Sequence, residues 1–277
     1  MTKLDNKLNI IQDYKIAIDI TDNPYDFAIT DLFKMATRIN KKRQFLFVST
    51  VLGKHLAVQP QVPILTGALL AMMYYERLTG KEPLLVQSVV QAMQNRHNVQ
   101  ETLQQVEEQS LELAEDVLFI GFAETATALG HAVFNVFKSN ATYIHTTREL
   151  VPELEPFVTF EEEHSHATSH RVYCEQPEKL LQAKQIVLID DEITTGNTVV
   201  NIIETLHRKF PHVQRYSVLS ILDWRSSKQR AMFAQLEAQW GITIDFVAIM
   251  SGHFTCEGTP LLTSNQVAAT SQQIPDI

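Results

Sequence analysis

Apolar positions follow a repeating rhythm over the second half of the chain. VLFIGF (117–122), ATYIHTT (141–147), QIVLID (185–190), YSVLSILDW (216–224) and ITIDFVAIM (242–250) are short apolar runs of the kind that form buried strands. Between them, TATALGHAVFNVF (125–137), NTVVNIIETLHRKF (197–210) and SSKQRAMFAQLEAQWG (226–241) predict helices. In the second of these, Val199, Ile202, Ile203, Leu206 and Phe210 fall on one face. The third starts on Ser and stops at Gly. Strands alternating with helices call for right-handed crossovers and a mostly parallel twisted sheet covered by helices on both faces, an α/β fold. Ligands in such sheets bind beyond the carboxyl ends of the strands.

The first 115 residues are less regular. KIAIDI (15–20) and QFLFVSTVL (44–52) have strand composition, and TGALLAMMYYERLTG (66–80) reads as a helix with a Gly stop. Residues 86–115 read as one or two amphipathic helices broken at Asn95–Asn98. A long irregular stretch with three prolines covers 148–180. These textures divide the chain into an N-terminal region (1–115), a core (116–255) and a C-terminal tail (256–277).

Bulk composition narrows the function classes. Of 277 residues, 45% are apolar and 20% charged, as in an ordinary globular protein. A net charge of −9 argues against a nucleic-acid-coating role, which needs clustered Lys and Arg. Cys174 and Cys256 form no CxxC pair and read as free thiols in a reducing compartment. The N-terminus lacks an apolar signal-type stretch, and VPILTGALLAMMYY (62–75) is shorter than the roughly 20 residues a bilayer requires. The expectation is a cytoplasmic protein with no membrane and no nucleic-acid partner.

The most informative segment is LIDDEITTGNT (188–198). A strand ends at Asp190 and a helix begins near Asn197, whose N-terminus offers unpaired N–H groups and partial positive charge. Thr194, Thr195 and Thr198 add hydroxyls, and Gly196 is expected to let the backbone approach a ligand closely. That is a phosphate cradle, without the GxxxxGK[ST] of a Walker loop. The acids Asp190 and Asp191 suit the hydroxyls of a vicinal diol, so the stretch fits a ribose 5-phosphate. The blander alternative is a strand end followed by an ordinary cap.

VLIDDEITTGNT resembles the phosphoribosyl-pyrophosphate (PRPP) motif of type I phosphoribosyltransferases: an apolar strand, two acids, two mostly apolar residues and a Thr/Gly-rich turn. It departs from that motif at Glu192, where the family usually has an apolar residue. Together with RQFLFVSTVLGKH (43–55), it resembles the orotate phosphoribosyltransferase-like branch associated with bacterial tellurite-resistance and stress genes. The resemblance spans about residues 35 to 255. It implies the type I fold with an N-terminal hood over 1–115, and transfer of the 5-phosphoribosyl group from PRPP to a nucleobase-like nitrogen acceptor with release of pyrophosphate. It also implies Mg2+ bound through PRPP, and a homodimer.

The resemblance assigns further residues. GFAETATALG (121–130) falls where a pyrophosphate loop belongs, making Glu124, Thr125, Ala126 and Thr127 candidates beside Asp190, Asp191, Thr194, Thr195, Gly196, Asn197 and Thr198. An ordinary βα turn is the alternative there. Arg148, at the end of the second strand, fits a pyrophosphate-reaching cation. A mobile loop is implied within 150–173, where His164, His166, His170 and Arg171 are cation candidates. The catalytic set is Arg148, His166, His170, Arg171 and Asp191. HSHATSH (164–170) also fits a metal site or a solvated loop. Arg43, Lys54 and His55 are acceptor-side candidates, or an exposed strand edge. Two other functions stay open: a PRPP-sensing regulator of the same fold, and a hydrolase or phosphorylase of ribosyl phosphates.

Overall fold

The computed structural model describes residues 7–11, 14–37, 45–161 and 169–257. The chain opens with β1 (Lys7–Ile11), β2 (Tyr14–Asp22), the single turn α1 (Ile29–Leu32), β3 (Phe33–Thr37) and β4 (Phe45–Ser49). Three helices follow: α2 (Gln61–Thr79), α3 (Val86–Asn95) and α4 (Val99–Glu108). Next come β5 (Leu111–Gly121), α5 (Thr125–Phe134), β6 (Phe137–His145), β7 (Val158–Glu161), β8 (Ser169–Val172) and the turn α6 (Pro177–Leu180). The last elements are β9 (Gln185–Ile189), β10 (Glu192–Ile193), α7 (Asn197–Lys209), β11 (Arg215–Asp223), α8 (Ser227–Trp240) and β12 (Thr243–Glu257).

One sheet organises the molecule, in the order β1-β2-β12-β11-β9-β5-β6, with β10 added on β11. The pairings β12–β11, β11–β9, β9–β5 and β5–β6 are parallel, whereas β2 joins β12 antiparallel. The central strands are apolar on both sides because both faces are covered. In β9, Val187 and Ile189 point into one core and Ile186 and Leu188 into the other. Helices α2, α3 and α4 pack on the first face, and α7 on the second. The expected α/β sheet is the observed one.

Packing shows why particular residues stand where they do. Helix α2 lies against α5 so closely that a Cβ on Gly67 would sit 2.4 Å from Ala132 Cβ. Helix α2 ends at Gly80 with φ 72°, and α8 starts at a Ser226–Gln229 capping box. On α7, Val199, Ile202, Ile203 and Leu206 are buried together with Phe210 just beyond it, as the periodicity predicts.

Several boundaries differ from the sequence expectation. The helical pattern expected through 115 stops at Glu108, and Leu111 and Leu113 are the buried positions of an alternating strand start. The expected break at 115/116 therefore falls inside β5. Helix α5 ends at Phe134, and Phe137 opens β6 four residues before the expected start at Ala141. The irregular stretch 148–180 contains an antiparallel pair, β7–β8. Strand β12 runs on to Glu257, and its second half crosses a register shift at Ser251/Gly252 to pair with β2. The beginning of the expected C-terminal tail thus belongs to the sheet, and the rest of it lies outside the described residues.

Candidate active site

Three crossover turns meet at the carboxyl ends of β5, β6 and β9. Backbone bonds tie their starts together: Phe122 N–H donates to Ile189 O at 3.0 Å and Thr146 N–H to Gly121 O at 2.9 Å, while Asp190 N–H donates to Leu219 O of β11 at 3.0 Å. Above them lies a cavity of about 360 Å3. From the sheet side it is lined by Glu124, Thr125, Arg148 and residues 190–196, with Thr198 and Val199 on α7. The wall from the N-terminal region is Leu46, Phe47 and Ser49 of β4, with Lys54 and His55 further along the chain. Phe47 anchors that wall by stacking on Trp224, ring centroids 5.2 Å apart.

The acid pair sits at the centre. Asp191 N–H donates to Asp190 Oδ1 at 2.9 Å. Burial, then the neighbouring Asp191 carboxylate, pushes the Asp190 carboxyl well above the usual carboxylate range, and Glu192 adds to the push. Perturbed acids cluster in clefts that bind or react, and Asp190 lines such a cleft. Past the acids, Gly196 has φ 82° and starts α7 with no side-chain cap, so the first-turn N–H groups face the cavity end of the helix.

Gly196 lines the cavity and also packs closely against protein on its Cα side. A Cβ there would lie 2.7 Å from Phe233 Cε2 and 3.2 Å from Arg225 Cδ. Arg225 is buried, with Nε and Nη2 on Asp223 Oδ1 and Oδ2 at 2.9 and 2.8 Å. Its guanidinium lies over Phe246, 3.1 Å from the ring centroid. Arg230 Nη1 reaches the same carboxylate at 3.1 Å. Burial lowers the Arg225 pKa, and the hydrogen bond to Asp223 opposes that. The motif-based reading missed this group. Its sequence signal is the DWR at the end of β11, legible only once the fold brings it behind Gly196.

On the neighbouring turn, the Ala123–Glu124 peptide bond is cis. Ala123 N–H donates to Thr146 Oγ1 at 2.8 Å, and that hydroxyl also meets His170 Nδ1 at 3.0 Å. His170 is 2% exposed and its ring stacks on Phe160. It therefore supports the turn from behind and does not line the cavity, a correction to its expected catalytic place. Arg171 likewise spends Nη1 on the carbonyls of Arg148 and Ser169 at 3.0 and 3.2 Å. β8 places both on the hairpin that braces 146–148 rather than in the cavity wall.

The remaining expected residues divide the same way. Asp190, Asp191, Thr194, Thr195, Gly196, Thr198, Glu124, Thr125, Arg148, Lys54 and His55 share the cavity. Ala126 is buried in the core, and Thr127 donates its hydroxyl to Glu124 O at 2.8 Å. Asn197 turns its N–H to Thr195 Oγ1 at 3.3 Å. None of these three lines the cavity. Arg43, His164 and His166 lie outside the described residues. Phe47, Ser49 and Leu46 join the lining without having been singled out, as does Glu192, which had been marked only as the departure from the motif. No cluster of three or more His, Cys, Asp or Glu placed to hold a metal occurs among the described residues. No helix among them is long and apolar enough to cross a membrane.

An α/β sheet with an acid pair and a helix start at its carboxyl edge places a polar cleft where ligands of such sheets bind. A family model described as phosphoribosyl transferase matches residues 32–253, and the chain belongs to that family. In fold it is similar to adenine phosphoribosyl transferase from Trypanosoma brucei, solved with AMP, pyrophosphate and ribose-5-phosphate (12% identity, 90% of this chain, 94% of that one, TM-score 0.47). It is also similar to adenine phosphoribosyltransferase from Thermoanaerobacter pseudethanolicus (11% identity, 79% of this chain, 96% of that one, TM-score 0.44). The corresponding enzyme of Leishmania donovani gives 11% identity, 91% and 98% coverage and a TM-score of 0.41. No curated protein sequence matches the chain.

Proposed function

We propose that the cavity binds PRPP with its 5-phosphate at the start of α7, its ribose hydroxyls on Asp190 and Asp191, and its pyrophosphate toward Glu124–Thr125 and Arg148. The observation that carries this reading is the meeting of all three turns on one cavity, which β4 also lines. A phosphate accepts hydrogen bonds from the N–H groups and Thr hydroxyls of 194–198, whereas a diol donates to the carboxylates. The two ends of the motif thus recognise opposite chemistries, which fixes the direction of the sugar.

Transfer to a nucleobase-like nitrogen acceptor follows from that direction. C1 of the ribose points toward the β4 wall, where Lys54 and His55 line the cavity, and the leaving pyrophosphate lies beside the Arg148 cation. Arg148 stabilises charge that develops on pyrophosphate as the C1–O bond breaks. The acceptor's ring nitrogen supplies the new bond to C1. The fixed turns supply orientation, which carries most of the acceleration expected of such a site.

Mg2+ fits as a companion of PRPP. The carboxylates of Asp190, Asp191 and Glu124 are hard oxygen donors, yet they form no cage that would hold a cation alone. When bound, the ion neutralises pyrophosphate charge. The chain's own part is to present the acid pair and to keep Arg148 near the leaving group.

The acceptor-recognising hood is assigned to β3–β4 and the segment carrying Lys54 and His55, within the N-terminal region 1–115. The core over 116–255 and a homodimeric state complete the proposal. Kinship with the branch associated with tellurite resistance rests on the DDE motif and the RQFLFVSTVLGKH segment alone. The test is pyrophosphate release from PRPP and Mg2+ against a panel of nucleobases. Release that depends on one acceptor supports transfer. Release without acceptor indicates a hydrolase, and binding without release indicates a PRPP sensor.

A further inference from the structure

A buried Arg225–Asp223 pair, joined by the partly exposed Arg230, packs behind the turn that starts α7. Two guanidinium groups share one carboxylate, leaving one unit of excess positive charge behind the turn that starts α7. Arg225 is 3% exposed and Asp223 1%, so these two form a buried, mutually neutralised pair, whereas the excess charge sits on Arg230, whose side chain is 40% exposed and screened by water. The fork is fixed on every side: Asp223 takes it bidentately, Phe246 lies under it, and Phe233 flanks it at 4.9 Å. Phe233 and the Arg225 side chain are also the atoms a Cβ on Gly196 would strike. The turn thus rests directly on this seat. Arg230 binds the Arg225 carbonyl through Nε at 3.2 Å, which locks the segment after β11 to α8.

Resting on the function proposed above, we propose that Arg225 is a positioning residue for the sugar's 5-phosphate: held rigidly by Asp223, it sets the height of the Gly196 turn and so the placement of the N–H groups that start α7. It touches no substrate. Its effect is confined to the phosphate end, because the pyrophosphate end is built on separate elements, the Glu124–Thr125 turn and Arg148.

The test uses the full-length protein with ribose 5-phosphate and, separately, pyrophosphate with Mg2+, each titrated calorimetrically. Arg225→Met leaves Asp223 paired with Arg230, so no buried acid is orphaned. The expected result is about ten- to a hundredfold weaker ribose 5-phosphate binding with pyrophosphate affinity unchanged. Arg225→Lys, which keeps the charge but not the fork, recovers part of the loss. Unchanged ribose 5-phosphate affinity in Arg225→Met overturns the inference, as does an equal loss for both ligands, which marks a general structural role. If Arg225→Met does not fold, Arg225→Lys and Phe233→Leu carry the same comparison: weaker ribose 5-phosphate with unchanged pyrophosphate supports the inference, and unchanged ribose 5-phosphate in both overturns it. A wild-type protein that takes up no ribose 5-phosphate removes the proposed function and this inference together.

Discussion

Asp190→Asn should make the protein more stable while removing its ability to bind PRPP. The Asp190 carboxyl is raised by burial and by Asp191 beside it. In the unfolded chain the same group titrates near pH 4. Below that pH it is protonated in both states and costs nothing. Above it, the folded protein holds more protons than the unfolded chain, so stability falls as pH rises from about 4 to the folded pKa and is flat beyond. Each unit of that elevation is worth about 1.4 kcal/mol. An amide removes the ionisation yet keeps an oxygen for the Asp191 N–H, now at 2.9 Å, and gains an NH2 that can donate to the Asp191 carboxylate. A gain is expected at pH 8, on the scale of roughly 0.5–2 kcal/mol typical when functional-site strain is relieved. In thermal melts of a chain this size that is about 2–4 °C per kcal/mol. Melting curves of wild type and variant from pH 4 to 8, with and without PRPP and Mg2+, provide the assay. The variant's advantage should vanish near pH 4 and grow above it, and PRPP should stabilise only the wild type. A variant less stable than wild type at pH 8, or an advantage independent of pH, would refute the reasoning.

Other substitutions probe separate parts of the account. Gly196→Ala meets both a positive φ and the Phe233 ring at 2.7 Å, and should cost about 1–3 kcal/mol in denaturant melts together with ribose 5-phosphate affinity. Gly67→Ala overpacks the α2–α5 contact and should cost a similar 1–3 kcal/mol while leaving PRPP affinity unchanged in the folded protein. Thr146→Val removes the acceptor of the Ala123 N–H and the contact to His170. It should lower kcat/KM about tenfold, equivalent to about 1.4 kcal/mol, with little change in the KM of the acceptor. Arg148→Ala should depress kcat about a hundredfold and PRPP affinity much less, measured by pyrophosphate release and calorimetry.

The core of the fold was legible because its signals are local. Buried parallel strands are apolar on both faces, so QIVLI and VLFIG stand out, and α7 carries its apolar stripe with few interruptions. The ends were less legible where helix-forming residues occupy exposed strand positions, as Glu112 and Glu115 do in β5. The β12 extension escaped because its pairing partner, β2, lies more than two hundred residues away in the chain and polar residues interrupt its apolar run. Within the site, the motif pointed to Asp190 to Thr198 and the family resemblance to Arg148, but neither gave a direction to a side chain. His170 reads as a loop cation in one dimension, and only the bond to Thr146 and the Phe160 ring shows it facing inward. Arg225 carried no motif, because its meaning comes from packing against a glycine 29 positions earlier in the sequence.

The central claim is that one cavity at the carboxyl edge of the sheet takes up a phosphorylated, pyrophosphorylated pentose. Calorimetric titration of PRPP with Mg2+ into wild type and into the folded Asp190→Asn/Asp191→Asn double variant tests it most directly. The account predicts saturable one-to-one uptake by the wild type and none by the variant. Absence of uptake by the wild type, or equal uptake by both, would contradict it.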